Sequence, residues 1–353
     1  MNPPGRILIL KLGAVGDVIH TLYALRALRR AFPKAAIAWA IEDKSADAIL
    51  GQPDLGDDNV LVFRRRATKG FWRQLAAYFR FAGELRRFRP DVVIDFQTLF
   101  KSGLLAFLSG APTRIGFRKW REGNFLFTNE RVARRAGEDH TVRQYLALLR
   151  PLGVEPDDSV GAPTGPDPVR VVATAEQRTR IDAFIDGIDD GKPILAINPG
   201  ASWATKRWPP ERYGAVARAR ADDPGARIVV VWGPGEQTMA KAVGSTAGGR
   251  AVLAPETSLR ELAHLLSRCA LYVGGDTGPM HVAAVMGTPV VALFAPSDPA
   301  RVGPWGVPAR IVEPGGYPCL HCWKHDCPKR CIEAIAIDQV IGAARALLAE
   351  TRR

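Results

Sequence analysis

The 353-residue sequence has no run of eighteen apolar residues, which excludes a membrane-spanning helix. It also lacks a Gly-x-Gly-x-x-Gly stretch, so a nicotinamide-dinucleotide fingerprint is absent. The N-terminus has no apolar segment ending in a small-residue cleavage site. Ile7-Leu8-Ile9-Leu10 is followed at once by Lys11 and then Asp17, which reads as a first β-strand and not a signal peptide. A cytoplasmic protein is the expectation. Cysteine is scarce, at five residues, and four of them crowd into one stretch near the C-terminus.

What is present suits a packed globular chain. Hydrophobic residues make up 47%, which excludes wholesale disorder, and the length predicts two domains of ordinary size. The net charge of +12 is unevenly placed. Residues 1–150 hold 26 Lys and Arg against 14 Asp and Glu, whereas residues 151–353 hold 22 of each. The whole excess sits in the first half and predicts an anionic partner for it: a charged acceptor, an acidic membrane surface or nucleic acid. Taken singly, most of these arginines also fit solvated helix faces.

Strand-like and helix-like patterns alternate along both halves. Strands are predicted at Arg6–Leu12, Ala36–Ile41, Val60–Phe63 and Asp91–Phe96, with helices through Leu22, Leu25 and Leu28 and over Phe71–Phe88. Residues 155–169 turn to Pro, Gly and Asp, a linker composition. A second series follows, with strands at Ile194–Asn198, Arg227–Trp232, Leu271–Gly274 and Pro289–Phe294, helices at Glu211–Ala221 and Ser258–Cys269, and a final helix over Asp338–Arg353. The implied fold class is α/β: two doubly wound parallel-sheet domains, 1–165 and 166–337, facing a cleft, followed by the helix 338–353. In such folds ligands gather where the loops leave the carboxyl ends of the strands.

Four stretches carry chemistry. In Lys11-Leu12-Gly13-Ala14-Val15-Gly16-Asp17 the glycines allow close approach to a strand exit, and Asp17 stands near a helix start as either a catalytic carboxylate or an N-cap. Gly274-Gly275-Asp276-Thr277-Gly278-Pro279-Met280-His281 opens another helix. Its free amides and macrodipole suit a diphosphate, with Thr277 and His281 on the same end; a plain structural turn is the bland reading. The loop 198–209 presents Ser202, Lys206 and Arg207 after a strand, and a lysine there would stabilise a leaving diphosphate, though it also fits an ordinary surface lysine. Glu236, after Trp232-Gly233-Pro234-Gly235, could accept ribose hydroxyls. In the fourth stretch Cys319, Cys322, Cys327 and Cys331 have a spacing that predicts a structural zinc or iron site, with reduced thiols or oxidised pairs as alternatives. Cys269 reads as a buried core thiol.

Taken in order, Lys11–Thr21, Trp39–Asp43, Val93–Gly103, Arg114–Phe117, Lys206–Tyr213 and Gly275–Ala284 make the chain resemble glycosyltransferase family 9, the bacterial heptosyltransferases, over nearly its full length. The resemblance implies a GT-B fold of two Rossmann-like domains, acceptor on the first and nucleotide sugar on the second, with the final helix crossing back to the first. It implies that Asp17 is the general base, that Lys206 meets the donor phosphates, and that Ser202, Glu236, Asp276, Thr277, Gly278 and His281 bind the donor. It places Gly16, Arg64, Arg65, Arg66, Lys69 and Arg121 toward an anionic acceptor. The partners implied are ADP-heptose, a lipopolysaccharide core acceptor ending in Kdo or heptose, and the cytoplasmic face of the inner membrane, with no catalytic cofactor. Two rival readings are a relative using another nucleotide sugar on a protein or surface glycan, and a nucleic-acid binder built on the basic half.

Overall fold

The computed structural model describes residues 3–64, 70–118, 121–222 and 225–351. The chain divides into two compact units, Met1–Val172 and Ala173–Arg353. The first unit opens with β1 (Arg6–Leu10), α1 (Val15–Ala31), β2 (Ala36–Glu42), α2 (Asp43–Ala46) and β3 (Val60–Phe63). It continues with α3 (Phe71–Arg87), β4 (Val92–Asp95), α4 (Phe100–Leu108), β5 (Thr113–Phe117), β6 (Glu130–Val132) and α5 (Thr141–Ala147). The second unit begins with α6 (Ala175–Asp186), β7 (Ile194–Asn198), α7 (Pro210–Asp222), β8 (Arg227–Val230), α8 (Gln237–Thr246) and β9 (Ala251–Leu253). It ends with α9 (Leu259–Ser267), β10 (Leu271–Gly275), α10 (Gly278–Val285), β11 (Val290–Leu293), α11 (Pro299–Val302), β12 (Ala309–Val312) and α12 (Ile337–Thr351).

Each unit is built on one six-stranded parallel sheet, ordered β3-β2-β1-β4-β5-β6 in the first and β12-β11-β10-β7-β8-β9 in the second. The two orders are the same topology: each sheet starts in its middle, winds outward one way, then returns and winds the other. The reversal falls between β1 and β4 in one unit and between β7 and β10 in the other, and loops at such a reversal diverge and leave a crevice at the carboxyl ends. The strands are near-continuous apolar runs because helices cover both faces, so Leu8, Leu10 and Val93 in the first sheet and Leu195, Val273 and Val291 in the second are fully buried.

Local signals fix several helix starts. Ser258 and Glu261 form a reciprocal capping box on α9, and Thr174 and Gln177 do the same on α6. At α1 the cap position belongs to Ala14, which gives no side-chain bond, so the capping alternative for Asp17 falls away; Asp17 is the third helical residue. The final helix spends its apolar face within the second unit. Val340, Ala344, Leu347 and Leu348 are buried in the core with Trp208, Tyr213 and Leu293, and α12 packs on α7 and on β10 to β12. This burial makes α12 part of the second unit's core.

Candidate active site

In the first unit the reversal brings the exits of β1 and β4 together. Lys11, buried in the strand exit, sends its Nζ to Asp17 Oδ2 at 3.0 Å, to the Tyr145 hydroxyl at 2.9 Å and to the Phe96 carbonyl at 3.3 Å. Burial alone would lower the lysine's pKa, but the charges and hydrogen bonds of Asp17 and Tyr145 outweigh it and hold the ammonium well above its usual range. Trp39 anchors the Lys11 carbonyl through its indole N–H at 3.0 Å. The result is an asymmetric ion pair, with the lysine side chain 2% exposed and the aspartate 40%. Asp17 is held by one oxygen and presents the other, Oδ1, without a hydrogen bond among the described residues.

Two residues that the spacing did not single out hold this loop. Gln97 Oε1, from the β4 exit, accepts from the Leu12 and Gly13 amides at 3.0 and 3.2 Å and ties the two strand exits together. Asp95 is fully buried at the end of β4 and accepts from the Gln97 and Thr98 amides, the Ser102 hydroxyl and the Asn124 side chain. Burial pushes its carboxyl up, against the pull of those four donors. The signal in the sequence was a carboxylate closing a run of apolar strand residues, Val92-Val93-Ile94-Asp95, where a buried polar group must be satisfied.

Gly16 lies in the first turn of α1, beside Asp17. Arg64 is exposed just past β3. Arg65, Arg66 and Lys69 lie outside the described residues, and so does the side chain of Arg121.

In the second unit the exits of β7, β8 and β10 supply the remaining groups. Lys206 Nζ stands 2.5 Å from Asp276 Oδ2 and 4.1 Å over the ring of Trp203, a cation held by an anion and an aromatic face. Asp276 Oδ1 faces His281 Nε2 at 3.5 Å. Burial would raise the Asp276 pKa, but His281 and Lys206 outweigh it and hold it at about 2. The ionised carboxylate therefore fixes the Lys206 ammonium from within the expected donor segment. Thr277 occupies the cap position of the eight-residue α10, and its side chain turns back to the Gly275 carbonyl at 3.4 Å and does not cap the helix. Because Met280 and His281 amides bond to the Thr277 carbonyl and Pro279 has no N–H, the Gly278 amide is left facing out of the helix start.

Glu236 folds back to accept the Gly233 amide at 2.9 Å through Oε2 and lies directly against Gly200. A Cβ at Gly200 would sit 2.1 Å from that oxygen, so the glycine is what lets the carboxylate lie between the β7 and β8 exits. Ser202 is exposed on the β7 loop.

The cysteine stretch lies behind the lysine loop. The Trp203 ring stacks on His325 at 3.7 Å, and the Thr205 hydroxyl donates to the Lys324 carbonyl at 2.7 Å. His321 and Trp323 donate their amides to the carbonyls of Ala295 and Pro296, past the end of β11. All four thiols are free. Burial pushes the Cys331 thiol up, and the nearby thiols of Cys319, Cys322 and Cys327 add to it. They are neighbours, yet among the described residues no three Cys, His, Asp or Glu side chains converge as a metal's ligands would. As placed, the four sulfurs do not fit the expected zinc or iron, and no chemistry is assigned to one. Cys269 is a core thiol, its pKa pushed up by burial to about 12.

Among the described residues no helix is long and apolar enough to cross a membrane. Residues 78–333 match the family described as glycosyltransferase family 9 (heptosyltransferase). The chain is 30% identical over 331 residues to lipopolysaccharide heptosyltransferase 1 of Pseudomonas aeruginosa, covering 91% of this chain and 87% of that one. It superposes on the crystal structure of a family 9 glycosyl transferase from Veillonella parvula with a TM-score of 0.80 and 27% identity, over 98% and 97% of the two chains. Escherichia coli heptosyltransferase WaaC, solved with ADP-2-deoxy-2-fluoro heptose, shares the GT-B fold at a TM-score of 0.71 and 22% identity, over 98% and 99%. With the family match spanning well over half the sequence and a relative of this identity aligned along nearly all of it, the chain belongs to glycosyltransferase family 9 and is a sugar-transferring enzyme.

Proposed function

We propose that the protein transfers a heptose from ADP-heptose to an anionic sugar, Kdo or heptose, of a lipopolysaccharide inner core, with inversion at the anomeric carbon. The observation that carries this is the pair Lys206–Asp276 beside the open amide of Gly278. A fixed cation and a helix-start donor on neighbouring strand exits form a seat for a diphosphate. The donor's identity is supported by the relative from P. aeruginosa and by the bound heptose analogue in WaaC.

The acceptor hydroxyl gives its proton to Asp17 Oδ1 and its oxygen attacks the anomeric carbon. The bond from that carbon to the ADP oxygen breaks on the opposite face, and the electron pair leaves with the diphosphate. Lys206 and the Gly278 amide neutralise the charge that grows on the departing oxygens, and Glu236 is placed to accept a ribose hydroxyl. Gly16, Arg64, Arg65, Arg66, Lys69 and Arg121 are the proposed contacts to the anionic acceptor. The work is done at the cytoplasmic face of the inner membrane.

The deciding experiment incubates the purified protein with ADP-heptose and, in parallel, Kdo-terminated and heptose-terminated core acceptors. Released ADP with a mass gain of one heptose on one acceptor is the expected result. Turnover with a different nucleotide sugar and none with ADP-heptose would replace the donor and leave the family unchanged.

A further inference from the structure

The first unit carries a surface that the transfer chemistry does not use. Helix α3 buries Phe81, Ala82 and Leu85 against the sheet core with Leu8, Leu10 and Val93. Beside that buried face runs a second apolar stripe in water: Phe71, Trp72, Leu75 and Phe79, with Phe71 71% and Trp72 77% exposed. At 3.6 residues per turn these four fall within about 100° of arc, so they form one strip and not scattered exposures. Exposed Phe100, at the start of α4, faces the same region, and between the helices lies an apolar pocket of about 300 Å³ lined by Phe71, Leu75, Tyr78, Phe100, Leu104 and Leu12. Leu12 is the residue before Gly13, so the pocket reaches the loop that leads to Asp17. A continuous apolar patch of this kind on a folded protein marks a contact surface.

The charges around the strip indicate what it contacts. Arg73, Arg80 and Arg87, seven residues apart and exposed, form one basic stripe on α3. The helix holds four arginines against one acid, Glu84, within a half of the chain that carries the whole positive excess. Large aromatics beside an arginine row are the pattern of a helix lying in the plane of a bilayer interface. A protein partner would need an acidic patch confined to the strip, whereas the positive excess of residues 1–150 extends well beyond α3 in sequence and suits an extended anionic plane.

We propose that the N-terminal half of α3 docks on an anionic phospholipid bilayer, seating Phe71, Trp72, Leu75 and Phe79 among the acyl-chain ends and the arginine stripe against the headgroups. This deepens the membrane partner of the preceding reading, since a lipid-linked acceptor presents itself at such a surface. Its test needs no sugar substrate, so either reading can fail alone.

Full-length protein is floated with vesicles of phosphatidylglycerol and phosphatidylethanolamine, and separately with phosphatidylcholine. Binding to the anionic vesicles that weakens with salt is expected. The combined variant Phe71→Ser, Trp72→Ser, Phe79→Ser should partition at least about tenfold less, with an unchanged melting transition. Should that variant misfold, Arg73→Ser with Arg80→Ser replaces it and should remove most of the salt-sensitive part. Absence of vesicle binding, equal binding to neutral vesicles, or undiminished binding by a folded variant overturns the proposal. A dimer in solution that the aromatic variant dissolves assigns the strip to a second copy and overturns it as well.

Discussion

The two units share a layout but differ in how far they open it to water. Each places a lysine just after its first or central strand and pairs it with an aspartate near the sheet reversal, Lys11 with Asp17 and Lys206 with Asp276. In the first unit the lysine is sunk among Tyr145, Phe96 and Trp39 while the carboxylate stays half in water. In the second both partners are buried, the lysine side chain 12% exposed and the aspartate 6%, with the carboxylate clamped between His281 and Lys206 and the ammonium over Trp203. Burying one member of an ion pair fixes the geometry of the other, and the presented member decides what chemistry the loop can do. The first pair leaves its carboxylate half exposed, while the second is shielded as a unit.

If that difference carries function, breaking each pair should have a different signature. The largest effect is expected for Asp17→Asn, which keeps the shape but removes the proton acceptor: kcat should fall on the order of a thousandfold while ADP affinity by calorimetry is unchanged. Undiminished turnover would remove Asp17 from the chemistry. Lys206→Ala should cost kcat about a hundredfold and weaken ADP binding as well, the outcome the proposed contact with both bound and leaving diphosphate requires. A loss confined to stability would make the lysine structural.

Stability against acid sharpens the contrast. The Asp276 pKa of about 2 lies below its ordinary 3.8, so the native state is stabilised above the unfolded value and loses that contribution as pH falls through about 2. The contribution is about 2 kcal/mol, and Asp276→Asn should lack it: denaturant titrations at pH 6 and pH 2.5 should show a smaller fall in the variant than in the parent. An identical fall would mean the buried carboxylate is not held by Lys206 and His281. The smallest effect is expected for Gly200→Ala. Its Cβ would displace the Glu236 carboxylate, a flexible side-chain end that can swing away, so the fold should survive and ADP binding weaken about fivefold. An unchanged affinity would show that Glu236 does not meet the nucleotide.

Much of this was legible in the sequence because a parallel sheet delivers its strand exits to one edge. Once β1, β7 and β10 are recognised, residues 11–17, 198–206 and 275–281 have to lie at carboxyl ends. What the pattern could not show was pairing across distance. Lys206 and Asp276 are seventy residues apart, and nothing in either loop says that the aspartate points at the lysine and not at the ligand. Asp95 and Gln97 escaped for the same reason: their partners come from four different segments, and only burial makes them necessary. The Ala and Leu residues of the last helix show that it has an apolar face without saying which core takes it. The cysteine spacing predicted a ligand set, but spacing constrains the chain path between sulfurs and leaves their side-chain directions open.

The contact of the thiol-bearing loop with Trp203 and Thr205 has a practical consequence at the bench. A disulfide formed between two of these thiols on handling in air would draw two points of that loop together. The strain would pass through His325 and Lys324 to the Trp203 ring under the Lys206 ammonium. Preparations kept in reductant and preparations left without it should therefore be compared before a weak activity is blamed on the wrong sugar.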